Sequence, residues 1–132
     1  MTVGHFLNVD LEIESRVDLA SLATELEPAA TTLYCGPIPG GYLLSLEAED
    51  IDDFVRTRSP DETIHQFCRL IEALSPTGNE MWREASRRTF DVGFDANAEH
   101  VAARFGLRED TLERIVRLRA TLTVTVYRPE SA

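Results

Sequence analysis

The chain has 132 residues, 43% of them hydrophobic, and carries 23 acidic against 13 basic side chains for a formal net charge of −10. That length suits a single domain over residues 1–132, with a core large enough to fold without disulfide or metal staples. The acidic balance disfavours direct contact with nucleic acid, no apolar run approaches the ~20 residues of a membrane span, and no signal-peptide pattern opens the chain, so a cytoplasmic protein is expected.

Residues 6–14 alternate as a strand, with Leu7, Val9, Leu11 and Ile13 on one face and Asn8, Asp10, Glu12 and Glu14 on the other. Ser15 and Asp18 resemble a capping box for a helix whose apolar stripe, Leu19, Leu22, Ala23 and Leu26, stops at Pro28. Two short runs, 31–35 and 42–48, flank Gly36-Pro37-Ile38-Pro39-Gly40-Gly41 and predict a hairpin. This turn has no Lys, no following Ser or Thr and no helix after it, so it does not match a phosphate loop. Glu47, Glu49, Asp50, Asp52 and Asp53 lead on as an acidic connection. An EF-hand would need Gly at 52 and Glu at 58, where this chain has Asp and Arg.

Ser59-Pro60-Asp61-Glu62 combines an N-cap serine, proline at the first helical position and an acid at the third. The helix it opens carries Ile64, Phe67, Cys68, Ile71 and Leu74 on one stripe until the Ser75-Pro76-Thr77-Gly78 break. Within 80–95 the periodicity switches. Met81, Trp82 and Ala85 recur at helical spacing, then Phe90, Val92 and Phe94 alternate with Asp91, Gly93 and Asp95. A short helix over 98–105 ending at Gly106 is expected next, then a stronger one over 109–118 burying Leu112, Ile115 and Val116. Last comes a strand over 121–127, with Leu122, Val124 and Val126 on its apolar face. This order predicts an α+β two-layer sandwich with a ferredoxin-like β-α-β-β-α-β core and an added C-terminal helix and strand.

No catalytic or cofactor signature interrupts that pattern. There is no G-x-S-x-G elbow, and His5, His65 and His100 sit in ordinary contexts, so neither catalytic residues nor a cofactor is expected. His65 and Cys68 are three apart on one helix, a spacing that permits joint metal ligation, but Cys68 belongs to the apolar stripe and no metal site is expected. Cys35 and Cys68 are read as free thiols. All 13 bases are Arg, a composition expected of a GC-rich bacterial genome.

Charge is unevenly placed. Residues 1–66 hold 13 acids and three bases, whereas residues 67–132 hold ten of each. If helices cover the apolar face of the strands, the opposite face collects Asp10, Glu12, Glu14, Asp91 and Asp95. Trp82, with Arg83, Arg87 and Arg88 near it in sequence, is read as a core anchor whose arginines reach to water.

The run Thr63-Ile64-His65-Gln66-Phe67-Cys68-Arg69-Leu70-Ile71-Glu72-Ala73-Leu74, the segment 82–93 and the closing Leu122-Thr123-Val124-Thr125-Val126-Tyr127 together resemble small bacterial α+β domains, some of them similar to immunity proteins encoded beside toxins. The resemblance implies a stoichiometric, non-enzymatic inhibitor with an acidic surface directed at a basic toxin. The residues expected to bind such a cationic partner are Asp10, Glu12, Glu14, Asp50, Asp52 and Asp53. Two alternatives stand beside it: a small enzyme or ligand sensor with a pocket near Trp82, His65 and Arg88, and a homodimer joined through sheet edges or open faces.

Overall fold

The structure, a computed structural model, describes residues 6–27, 29–48, 59–95 and 104–127. Its elements in chain order are β1 (Phe6–Ser15), α1 (Ala20–Leu26), β2 (Ala30–Ile38), β3 (Gly41–Ala48), α2 (Pro60–Glu72), α3 (Pro76–Glu84), β4 (Arg87–Asp95), α4 (Glu109–Arg117) and β5 (Thr121–Tyr127). They build an α+β fold with one five-stranded mixed sheet in the order β2-β3-β1-β4-β5. β1 runs antiparallel to both β3 and β4, β2 is antiparallel to β3, and β5 is parallel to β4. The parallel step is bridged by α4, as a crossover between parallel strands requires.

One hydrophobic core lies between the sheet and the helices. Val9, Leu11 and Ile13 of β1 are fully buried, and Leu44 and Leu46 of β3 with Phe90 and Val92 of β4 extend their face sideways. Leu22 and Leu26 of α1, Ile64, Phe67, Cys68 and Ile71 of α2, and Trp82 of α3 close over it. At ~25 cal/mol per Å² of apolar surface removed from water, this common core is the main force holding the layers together.

Local signals explain the helix ends. Ser59 Oγ accepts the backbone N–H of Glu62 at 3.1 Å, with Pro60 at the first helical position. Ser75 and Pro76 repeat the device for α3, where Ser75 Oγ accepts from Gly78 N at 3.0 Å. The Ser75-Pro76 pair is therefore the start of α3 as well as the break after α2. The expected Ser15 cap does not form, because Ser15 remains in β1 and is buried there. Asp18 Oδ1 instead accepts from Ala20 N at 2.8 Å. In the hairpin, Gly36 and Pro37 belong to β2, and the chain reverses at Pro39-Gly40, where Gly40 adopts φ 87°. Gly41 is fixed by close approach, since a Cβ there would stand 2.4 Å from the carbonyl oxygen of Ser15.

Three expectations about the core are corrected. A register shift between Phe6 and Asn8 leaves Leu7 48% exposed, and Phe6 packs against Phe94 instead. On α4 the buried residues are Thr111 and Ile115, while Leu112 and Val116 face outward, because the helix sits at the rim against α2 and β5. Val124 and Val126 occupy the core-side register of Val92 and Phe94, but β5 is an edge strand and both remain exposed. The helix expected over 98–105 falls largely outside the described residues, and Arg104 and Phe105 are not helical. No helix among the described residues is long and apolar enough to cross a membrane.

Candidate functional site

β1 runs through the middle of the sheet, so each of its outward side chains has neighbours on both sides. The register sets Asp10 opposite Glu47 of β3 and opposite Asp91 of β4. Glu12 faces Ser45 and Thr89, and Glu14 faces Leu43 and Arg87. Asp95 shares this face at the end of β4, opposite Tyr127. The described helices pack on the other side, so these carboxylates lie on the face of the sheet that no described helix covers, called here the open face.

The acids fall into two groups. Glu12 and Glu14 share the guanidinium of Arg87, which reaches Glu12 Oε1 at 3.4 Å, contacts Glu14 Oε2 more closely, and donates to Thr89 Oγ1 at 2.9 Å. The row Glu47, Asp10 and Asp91 pairs with no cation among the described residues. Glu47 Oε2 accepts from Asn8 Nδ2 at 3.1 Å and Asp91 Oδ1 accepts from Thr125 Oγ1 at 2.7 Å, whereas buried Asp10 Oδ1 has no hydrogen-bond partner among the described residues. Burial, and then repulsion from Glu47, Asp91 and Glu12, raises the Asp10 carboxyl to a pKa of about 6. Like charges set directly opposite across a sheet are destabilising, so the row is a local cost to the fold.

The alternation of β1 and β4 already places Asp10, Glu12, Glu14, Asp91 and Asp95 on one face. Glu47 completes the row, and the signal for it is its parity with Leu43 and Ser45, opposite to buried Leu44 and Leu46. Asp50, Asp52 and Asp53 lie outside the described residues.

Apart from this face, a concavity of about 430 Å³ opens where α3 ends, β4 begins and the chain turns from α4 into β5. Trp82, Arg83, Arg88, Arg117, Leu118 and Arg119 line it. Trp82 is 2% exposed and donates from Nε1 to the Leu118 carbonyl at 3.1 Å. Arg88 lies over the ring at 5.9 Å from its centroid. Its Nη1 donates to the carbonyls of Trp82 at 2.9 Å and Ala85 at 2.8 Å, and its Nε donates to that of Arg119 at 3.1 Å. The structure thus brings Trp82 and Arg88 together as a hydrogen-bonded corner. His65 is not among the residues that line the concavity: it sits half-buried on α2, with a buried Nδ1 that has no hydrogen-bond partner among the described residues.

Sequence patterns do not indicate the link from α2 to α4. Buried Asp61 accepts from the backbone N–H of Arg108 at 2.7 Å and meets its guanidinium Nε at 3.1 Å, tying the two helix starts together. Cys35 and Cys68 are both free, and burial, with Glu72 adding to it, pushes the Cys68 thiol up to about 12, which leaves it unreactive at neutral pH. Among the described residues no three His, Cys, Asp or Glu side chains converge closely enough to hold a metal ion. Compared with protein-family models, curated proteins and solved structures, the chain matches none of them.

Proposed function

We propose that the protein is a non-enzymatic binding module that docks a cationic protein on the open face of its sheet, as an immunity-type inhibitor docks a basic toxin. The observation that carries this reading is the Glu47–Asp10–Asp91 row, three carboxylates side by side with no neutralising cation among the described residues. Such a row costs stability in the free protein and is offset when a partner's Lys or Arg side chains enter it. The formal charge of −10 adds a long-range field that steers a basic partner inward. In sequence the acids Asp50, Asp52 and Asp53 follow β3 directly and would extend the same charge. The antiparallel order β2-β3-β1-β4 supports reading the first four strands as a ferredoxin-like core, with α4 and β5 appended to its β4 edge.

The test is a capture from host lysate followed by association kinetics with the isolated partner, comparing wild type with an Asp10→Lys/Glu47→Lys variant whose fold is checked by circular dichroism. The association rate is expected to fall by about ten-fold or more in the variant and to fall with salt for wild type. A partner indifferent to both the reversal and the salt would remove the electrostatic basis of the proposal.

A separate observation favours self-association as a second reading. β5 ends the sheet with Val126 55% and Tyr127 53% exposed, and Val116 on adjacent α4 is 74% exposed. An edge strand flanked by apolar side chains is a template for pairing with another chain. Sedimentation velocity over a range of concentrations is expected to show a dimer that Val126→Lys disperses. A wild-type monomer throughout the range removes this reading.

A further inference from the structure

In a chain with a large excess of acids, four arginines nonetheless line the concavity beside Trp82, with Glu84 as the one lining carboxylate among the described residues. The four are not equivalent. Arg117 is engaged with Glu113, one turn back on α4. Arg88 spends Nε and Nη1 on backbone carbonyls, which fixes its plane and leaves Nη2 without a partner among the described residues. Arg83 and Arg119 are exposed and have no ion pair with a described residue. Arg119 also sits at φ 58°, a backbone conformation that side-chain-bearing residues seldom adopt, and this turn sets it on the rim of the cavity.

We infer that this concavity is a binding site for the phosphate group of a small phosphorylated molecule, held by Arg88 Nη2 at its base and by Arg83 and Arg119 at its rim. A single carboxylate is satisfied by one guanidinium fork, whereas a tetrahedral dianion presents oxygens in several directions and accepts from several guanidinium groups at once. A cavity of about 430 Å³ also leaves room for the organic part of the ligand against Leu118 and the rim of the Trp82 ring. Crowding of unneutralised cations supports the assignment, since burial, and after it the nearby Arg119 charge, lowers the Arg88 pKa. An entering dianion relieves that repulsion. The site stands apart from the acidic sheet face, and its occupancy does not depend on a protein partner.

The chain has one tryptophan and three tyrosines, so emission excited selectively at the indole, beyond tyrosine absorption, reports on Trp82 at this cavity. Titration with inorganic pyrophosphate at low ionic strength is expected to give a saturable change in Trp82 emission, with one-to-one stoichiometry by calorimetry. Sodium chloride at matched ionic strength and sodium acetate are expected to give none. Arg83→Gln/Arg119→Asn, with Asn chosen because it tolerates positive φ, is expected to weaken pyrophosphate by about ten-fold or more. Glu84→Gln, which removes the lining carboxylate at an exposed position, is expected to tighten it. The inference is overturned by the lack of a saturable response, by a response that chloride or acetate reproduces, or by pyrophosphate affinity unchanged in both variants.

Discussion

Replacing Trp82 with alanine is expected to destabilise the fold by about 4 kcal/mol, within the range for a buried Trp or Phe truncated to Ala. Three losses add up at this position. The indole is 2% exposed and belongs to the common core, so its removal opens a void between α3 and the sheet. Its Nε1 is the donor for the Leu118 carbonyl, which the shorter side chain leaves without that bond. Arg88 also loses the ring beneath its guanidinium, and Arg88 in turn joins the end of α3 to the α4–β5 turn through the carbonyls of Ala85 and Arg119. With domain stabilities of about 5–15 kcal/mol, such a loss leaves little margin. Trp82→Phe is the informative companion, because it keeps most of the apolar volume and gives up the indole donor. Urea denaturation followed by far-ultraviolet circular dichroism should place Trp82→Phe well above Trp82→Ala. Equal stabilities for the two would mean that ring packing contributes little and would contradict the anchor role.

Much of the fold is legible in the sequence because period-two alternation and helix caps are local signals. Asn8 to Glu14 declare the open and buried faces of β1 by parity alone, and Ser59-Pro60 fixes the start of α2 to the residue. The switch from helix to strand within 80–95 is equally local. What escapes is whatever depends on a neighbour distant in sequence. Leu7 has the right parity for the core, but the register shift against β4 turns it outward. Val124 has an apolar strand pattern, yet the edge position of β5 is a property of topology that periodicity does not encode. The candidate sites divide the same way. The outward acids of β1 can be named from alternation, whereas the juxtaposition of Glu47, Asp10 and Asp91 needs the strand order β3-β1-β4. The cavity is less legible still: it joins Arg83 and Arg88 to Arg117 and Arg119 across a parallel crossover, and Ile64-His65 on α2 contributes nothing to it.

Asp10→Asn is expected to stabilise the protein at neutral pH. The Asp10 carboxyl rises from 3.8 to about 6 on folding, so the native state resists ionising it. At 1.36 kcal/mol per pKa unit the full shift corresponds to a ceiling of about 3 kcal/mol, and partial solvation of the side chain reduces the expected gain to about 1–2 kcal/mol. The sign follows from linkage. Between pH 4 and 6 the native state holds a proton that the unfolded chain releases, so this group's penalty is complete above its folded pKa, declines as pH falls through that window, and vanishes below the unfolded value. The difference in unfolding free energy between Asp10→Asn and wild type should therefore be largest at pH 7 and above and close to zero near pH 3. An advantage independent of pH, or a less stable variant at pH 7, would show that Asp10 is not strained by its neighbours. The same substitution bears on function, since an asparagine would relieve the repulsion with Glu47 and Asp91 without disturbing the buried face of β1. If the row is there to receive a cationic partner, the stabilised variant binds that partner more weakly, and the stability gained in the free protein and the affinity lost in the complex share one electrostatic origin.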